Sequence, residues 1–125
     1  MNRFLVIAAG AALGANARYL VNLWAAGRFG ADFPYGTLLV NITGSFILGF
    51  LLALSTDRFD LSPETRLLLA TGFLGSYTTF SSYAVESLNL WRDDGIWLAV
   101  RNIFLNNGIG LIFALLGTSV ARWLG

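Results

Sequence analysis

Four apolar stretches, each near the roughly 20 residues that cross a bilayer as a helix, are cut apart by short charged or proline-bearing clusters. They cover about residues 4–26, 36–55, 65–91 and 96–123 and leave little of the 125-residue chain outside lipid. Only 12% of the chain is charged, whereas an ordinary soluble domain carries about 25%. Its 8 basic and 7 acidic side chains are too few to clothe a soluble domain of this size in a polar shell. The fold class read from this is an all-α membrane protein with four transmembrane helices in a single domain, residues 1–125. Met1-Asn2-Arg3 before an apolar run imitates a signal peptide, but the run continues to about Ala26 without a clear early cleavage site and reads as the first span.

The punctuation has local causes. Phe33-Pro34-Tyr35-Gly36 is a turn in which Pro34 suits a helix start better than a helix interior. Asp57, Arg58 and Asp60 end the second span. Ser62-Pro63-Glu64 reads as an N-cap, a first-turn proline and a favourable first-turn carboxylate opening the third. Arg92-Asp93-Asp94-Gly95 is the loop before the fourth. Trp24, Trp91, Trp97 and Trp123 fall near span ends, where indole rings prefer the membrane interface.

A net charge of +1 gives no reason to expect nucleic acid as a partner. Absence of cysteine and histidine removes disulfides, thiol nucleophiles, most transition-metal sites and the usual proton carrier. No nucleophile has a base beside it either, which argues against an enzyme. All eight basic residues are arginines. Arg3, Arg58, Arg66 and Arg122 fall on one side of the membrane, and Arg18, Arg28, Arg92 and Arg101 on the other. Orientation follows an excess of Lys and Arg on the cytoplasmic side. An even tally implies insertion both ways and antiparallel self-pairing, unless one loop assignment is off by an arginine. Small residues that admit close helix approach, Ala9, Gly10, Ala12, Gly14, Gly44 and Gly49, together with many intramembrane polar groups, argue for a homodimer or larger assembly.

The third span holds Thr71-Gly72-Phe73-Leu74-Gly75-Ser76-Tyr77-Thr78-Thr79-Phe80-Ser81-Ser82-Tyr83, too polar and glycine-rich for a plain lipid-facing helix. The expectation is a helix break between Gly75 and Thr79, or else a kink repaired by Ser and Thr back-bonding. A break on a dimer axis would offer carbonyls in symmetric pairs to a small hard cation. Phe80 and Tyr83 share a helix face, as a packing pair or as ring edges turned to a dehydrated anion. Asn41, with Thr37, Thr43 and Ser45 nearby, is helix glue or pathway lining. Arg18 is expected in a watery vestibule or snorkelling outward, and Glu86 paired with an arginine or a cap. Asn102 and Asn106 share a face, beside Asn107, and a ladder of neutral donors suits a strongly hydrated anion.

Gly36-Thr37-Leu38-Leu39-Val40-Asn41, Thr71-Gly72 through Thr78-Thr79-Phe80-Ser81 with Glu86, and Gly14-Ala15-Asn16-Ala17-Arg18-Tyr19 jointly resemble the Fluc (CrcB) fluoride channel family along nearly the whole chain. The resemblance implies an antiparallel, dual-topology homodimer with two fluoride pores, embedded in lipid as a multi-pass protein of the cell inner (plasma) membrane. It further implies a structural sodium ion on the two-fold axis, held by backbone carbonyls of Gly75 and Thr78 from both copies. Phe80 would line the pore through its ring edge and Asn41 would donate to fluoride, with Thr37, Thr79, Ser82, Tyr83 and Asn106 as further pore positions and Arg18 in the vestibule. Fluoride would leave passively down its electrochemical gradient, relieving a cell that had taken it up as the neutral acid. Two features depart from the family: Tyr83 stands where a second phenylalanine is common, and the fourth span carries Asn102, Asn106 and then Gly110 where hydroxyl or ring donors are usual.

Two other membrane roles deserve comparison. A small antiparallel multidrug exporter would want a carboxylate in the first span, and none is there. A non-transporting assembly factor would use the polar faces as glue alone.

Overall fold

The structure, a computed structural model, describes residues 2–57 and 60–124, apart from the side chain of Asp57. Arg58, counted in the charge tally, lies outside the described residues. Helix α1, Arg3–Phe29, begins where the Asn2 side chain accepts the Phe4 N–H at 2.8 Å. It ends at Gly30, whose φ of 87° few other residues adopt and whose N–H reaches the Ala26 carbonyl at 3.0 Å. Helix α2, Tyr35–Asp57, starts just past Pro34. Helix α3, residues 63–77, is capped as its sequence suggests: Ser62 Oγ accepts the Thr65 N–H at 3.2 Å, and Pro63 occupies the first turn. Its middle, Leu67–Leu74, is wound as a wider π-helix. Helix α4, Phe80–Asp94, is joined through Gly95 at φ 106° to α5, Ile96–Leu124, which contains a shorter π segment at Leu105–Ile109.

Among the described residues, three helices are long and apolar enough to cross a membrane: Arg3–Phe29, Tyr35–Thr56 and Ile96–Leu124, with mean hydropathies of 1.5, 2.0 and 1.7. The third crossing read from the sequence is instead two shorter helices, α3 and α4. Their junction narrows the expected break to Thr78 (φ −84°, ψ 159°) and Thr79 (φ −150°, ψ 119°), whereas Gly75 stays helical (φ −62°, ψ −30°). Two successive β-branched residues favour extended backbone. Thr79 then caps α4, its Oγ1 accepting the Ser82 N–H at 3.2 Å.

The glycines place the helices. A Cβ on Gly10 would strike the Leu68 carbonyl, one on Gly14 the Phe73 carbonyl, and one on Gly72 the Ile7 carbonyl, so α1 and α3 meet backbone to backbone. Gly49 and Gly117 do the same for α2 and α5 against Ala114 and Phe46, and Gly44 admits the Thr78 methyl. This corrects the sequence reading, which assigned Gly10, Gly14, Gly44 and Gly49 to contacts between copies. They are used within the chain; of that set, Ala9 and Ala12 remain exposed. Because backbone cannot move aside as a flexible side chain can, Gly117→Val should destabilise the fold by about 3 kcal/mol or abolish it. Thermal unfolding in detergent reads this, and a variant melting with the parent would refute close α2–α5 packing.

A buried cluster of Phe33, Leu38, Leu90 and Ala99 lies beneath the α1–α2 connection, with the Arg101 guanidinium 4.6 Å over the Phe33 ring. Large apolar side chains make up much of the exposed surface, and Trp97 and Trp123 are 80% and 84% exposed.

Candidate ion pathway at the helix break

Asn41 on α2 grips the break. Its Oδ1 accepts the Thr79 N–H at 2.8 Å, replacing the acceptor that a continuing helix would have offered, and its Nδ2 donates to the Thr79 carbonyl at 3.0 Å. In that helix the Thr79 N–H would have gone to the Gly75 carbonyl and the Ser82 N–H to the Thr78 carbonyl. Both donors are diverted, to Asn41 and to Thr79 Oγ1, so the carbonyls of Gly75 and Thr78 lose those partners. Arg18 takes a neighbouring carbonyl, its Nε donating to Ser76 O at 3.1 Å. The residue expected in the vestibule is half-buried, with its Nε anchored to the break.

A directed amide chain runs on from Asn41. Its Nδ2 also donates to Asn106 Oδ1 at 2.9 Å, Asn106 Nδ2 to the backbone and side-chain oxygens of Asn102 at 2.9 and 3.0 Å, and Asn102 Nδ2 to Ser87 Oγ at 2.9 Å. Ser87 in turn donates to the Tyr83 carbonyl at 2.8 Å. Backbone carbonyls only accept, so contacts with Thr79 O and Asn102 O fix which end of the Asn41 and Asn106 amides is nitrogen. Asn102, wholly buried, ties α4 to α5 and does not line the cleft. Asn106 reaches the cleft with its oxygen on Asn41 and its nitrogen turned to Asn102. Ser87 was not singled out in the sequence. Its signal is a small hydroxyl four residues past Tyr83 on the face that meets Asn102.

The cleft, about 260 Å³, is lined by Asn41, Ser45, Thr78, Thr79, Phe80, Tyr83, Asn106 and Asn107. None of these is charged. The Phe80 and Tyr83 rings lie 5.5 Å apart at 56°. Ser82 is not in the lining; its backbone N–H donates to Thr79 Oγ1, the cap of α4.

Thr37 lies elsewhere. It is 3% exposed, donates to Glu86 Oε2 at 3.0 Å, and lines a separate cavity of about 350 Å³ near the α1–α2 connection with Glu86, Asp32, Asp93 and Asp94. Glu86 thus takes a hydroxyl where an arginine or cap was expected, and its buried Oε1 has no hydrogen-bond partner among the described residues. At the rim, the Arg92 guanidinium bonds Asp93 at 3.0 Å and holds that carboxyl below its ordinary value.

The family model for "CrcB-like protein, Camphor Resistance (CrcB)" matches residues 5–118. A protein of Roseiflexus sp. (strain RS-1), "Fluoride-specific ion channel FluC", is 50% identical over 96% of this chain and 97% of its own length. Relatives of the same name from Chloroflexus aurantiacus and Legionella pneumophila are 45% and 47% identical, over 100% and 97% of this chain and 99% and 90% of their own lengths. Three membrane-length helices and a channel family make this a multi-pass membrane protein and not an enzyme. Matched from the start of its first span into its last and related over nearly its whole length, the chain belongs to the CrcB family of membrane channels.

Proposed function

We propose that this chain is a fluoride channel that releases fluoride passively, working as a pair of antiparallel copies. The observation that carries the reading is a cleft at a broken membrane helix that is lined by amides, hydroxyls and aromatic rings and has no charged side chain in its lining. Fluoride is small and strongly hydrated, so its path must replace lost water with donors that do not hold it as a fixed charge would. Aromatic ring edges carry partial positive charge and exclude water. The relatives bear the name of a fluoride-specific channel. Fluoride that enters a cell as the neutral acid ionises inside and would leave here down its gradient, which protects the cell.

Pairing is supported by what one chain leaves bare. Gly75, Phe80 and Ser81 at the break, and Thr43 and Asn107 on flanking helices, are exposed. Irregular backbone at membrane depth is tolerated only against protein or water, so a second copy is the natural cover. The even arginine tally permits the opposite orientation, and two copies bring two clefts and therefore two pores. Sodium fits this arrangement: the Gly75 and Thr78 carbonyls, relieved of their helical donors, are hard oxygen ligands that a second copy would double. When bound, the ion would offset the mutual repulsion of carbonyl dipoles brought together there.

The test uses purified protein in fluoride-loaded liposomes with a fluoride electrode, alongside native mass spectrometry. Rapid efflux without matching chloride flux, from a complex of two 13.6 kDa chains, is the expected result. Equal fluoride and chloride rates would overturn selectivity, and a functional monomer would overturn pairing.

A further inference from the structure

We propose that Tyr83 contacts the permeating anion through its hydroxyl, a donor that Asn107 holds in place; the proposal rests on the fluoride-channel reading. Asn107 Nδ2 lies 2.6 Å from Tyr83 Oη and 2.9 Å from the carbonyl of Ile103. The carbonyl can only accept, which identifies that atom of Asn107 as nitrogen. An amide nitrogen only donates, so the phenol oxygen is the acceptor in the 2.6 Å contact. The hydroxyl proton takes no part in it. Tyr83 lines the cleft beside Phe80, Asn41 and Thr79, so this proton has the anion's space to point into.

Asn107 does two things to the hydroxyl. It pins the oxygen from the α5 side, which confines the proton to the remaining directions. By donating into the oxygen it also polarises the O–H and makes it a better donor. Phe80 offers an anion only C–H edges; Tyr83, tilted against it, adds an O–H. The tyrosine is therefore a gain of a binding group as well as a substitute ring, with Asn107 as its positioning residue.

Hydrogen bonds to charged groups are stronger than neutral ones, so loss of the hydroxyl should be visible in affinity. In liposomes, Tyr83→Phe removes one buried-facing oxygen from an otherwise identical ring and should raise the half-saturating fluoride concentration about tenfold. Asn107→Leu should raise it about threefold, and the double variant should match Tyr83→Phe alone, because Asn107 acts through the hydroxyl. A fluoride-dependent near-ultraviolet tyrosine difference spectrum should appear in the parent protein and vanish in Tyr83→Phe. A half-saturating concentration within twofold of the parent, or an unchanged difference spectrum, would overturn the proposal while leaving the channel reading intact. Absence of fluoride flux in the parent protein would overturn both.

Discussion

Phe80→Ile is expected to slow fluoride efflux about 100-fold while leaving the protein folded. The ring is 69% exposed on the single chain and takes little part in its packing, so its removal costs the fold little. Isoleucine keeps bulk and apolarity but has no quadrupole, hence no positive edge to meet a partly dehydrated anion. Losing about 2.7 kcal/mol at the barrier corresponds to that hundredfold change. Electrode-measured efflux, with detergent elution as the check on folding, decides it. A variant with the parent's rate would take Phe80 out of the pathway.

Asn41→Leu should have an equally large effect by a different route. It removes the acceptor of the Thr79 N–H, a donor to the Thr79 carbonyl and the donor to Asn106 Oδ1, three bonds in a half-buried setting. Each buried group left without a partner costs about 1–3 kcal/mol. The expected outcome is a loss of about 4 kcal/mol of stability together with loss of flux. Asn41→Asp is no rescue: a carboxylate still accepts the Thr79 N–H but faces the Thr79 and Asn106 oxygens without a proton to give. Denaturation in detergent read beside efflux separates this from Phe80→Ile, which should touch flux alone. If Asn41→Leu unfolds with the parent, the amide clamp is not what secures the break.

Three membrane-length helices, the Ser62 cap and the neighbourhood of the break could be read from residue order, because lipid imposes length on a helix and forbids unpaired backbone. Partnerships were harder. Thr37, Asn41 and Glu86 are polar groups within apolar runs, and sequence alone marks each as needing a partner without saying which. The structure gives Thr37 to Glu86 and Asn41 to Thr79, a pairing across 38 positions. Arg18 shows the same limit: its depth signalled a cost, and the answer was a carbonyl freed by a break on another helix. The glycines misled for a related reason, since close approach leaves the same pattern whether the neighbouring helix belongs to the same chain or to a second copy. The π segments at Leu67–Leu74 and Leu105–Ile109 also shift helix phase, so faces counted at 3.6 residues per turn drift beyond them.

Trp97 and Trp123 stand outside the packed interior, 26 positions apart on one helix. At about 1.5 Å per residue they are separated by about 39 Å, close to the thickness of a bilayer with its headgroup regions included, about 40–45 Å. The fourth crossing therefore acts as a gauge of bilayer thickness. With an indole seated at each face, α5 stands nearly upright in a membrane of ordinary depth, and in a thinner one it must lean, carrying Asn106 and Asn107 with it.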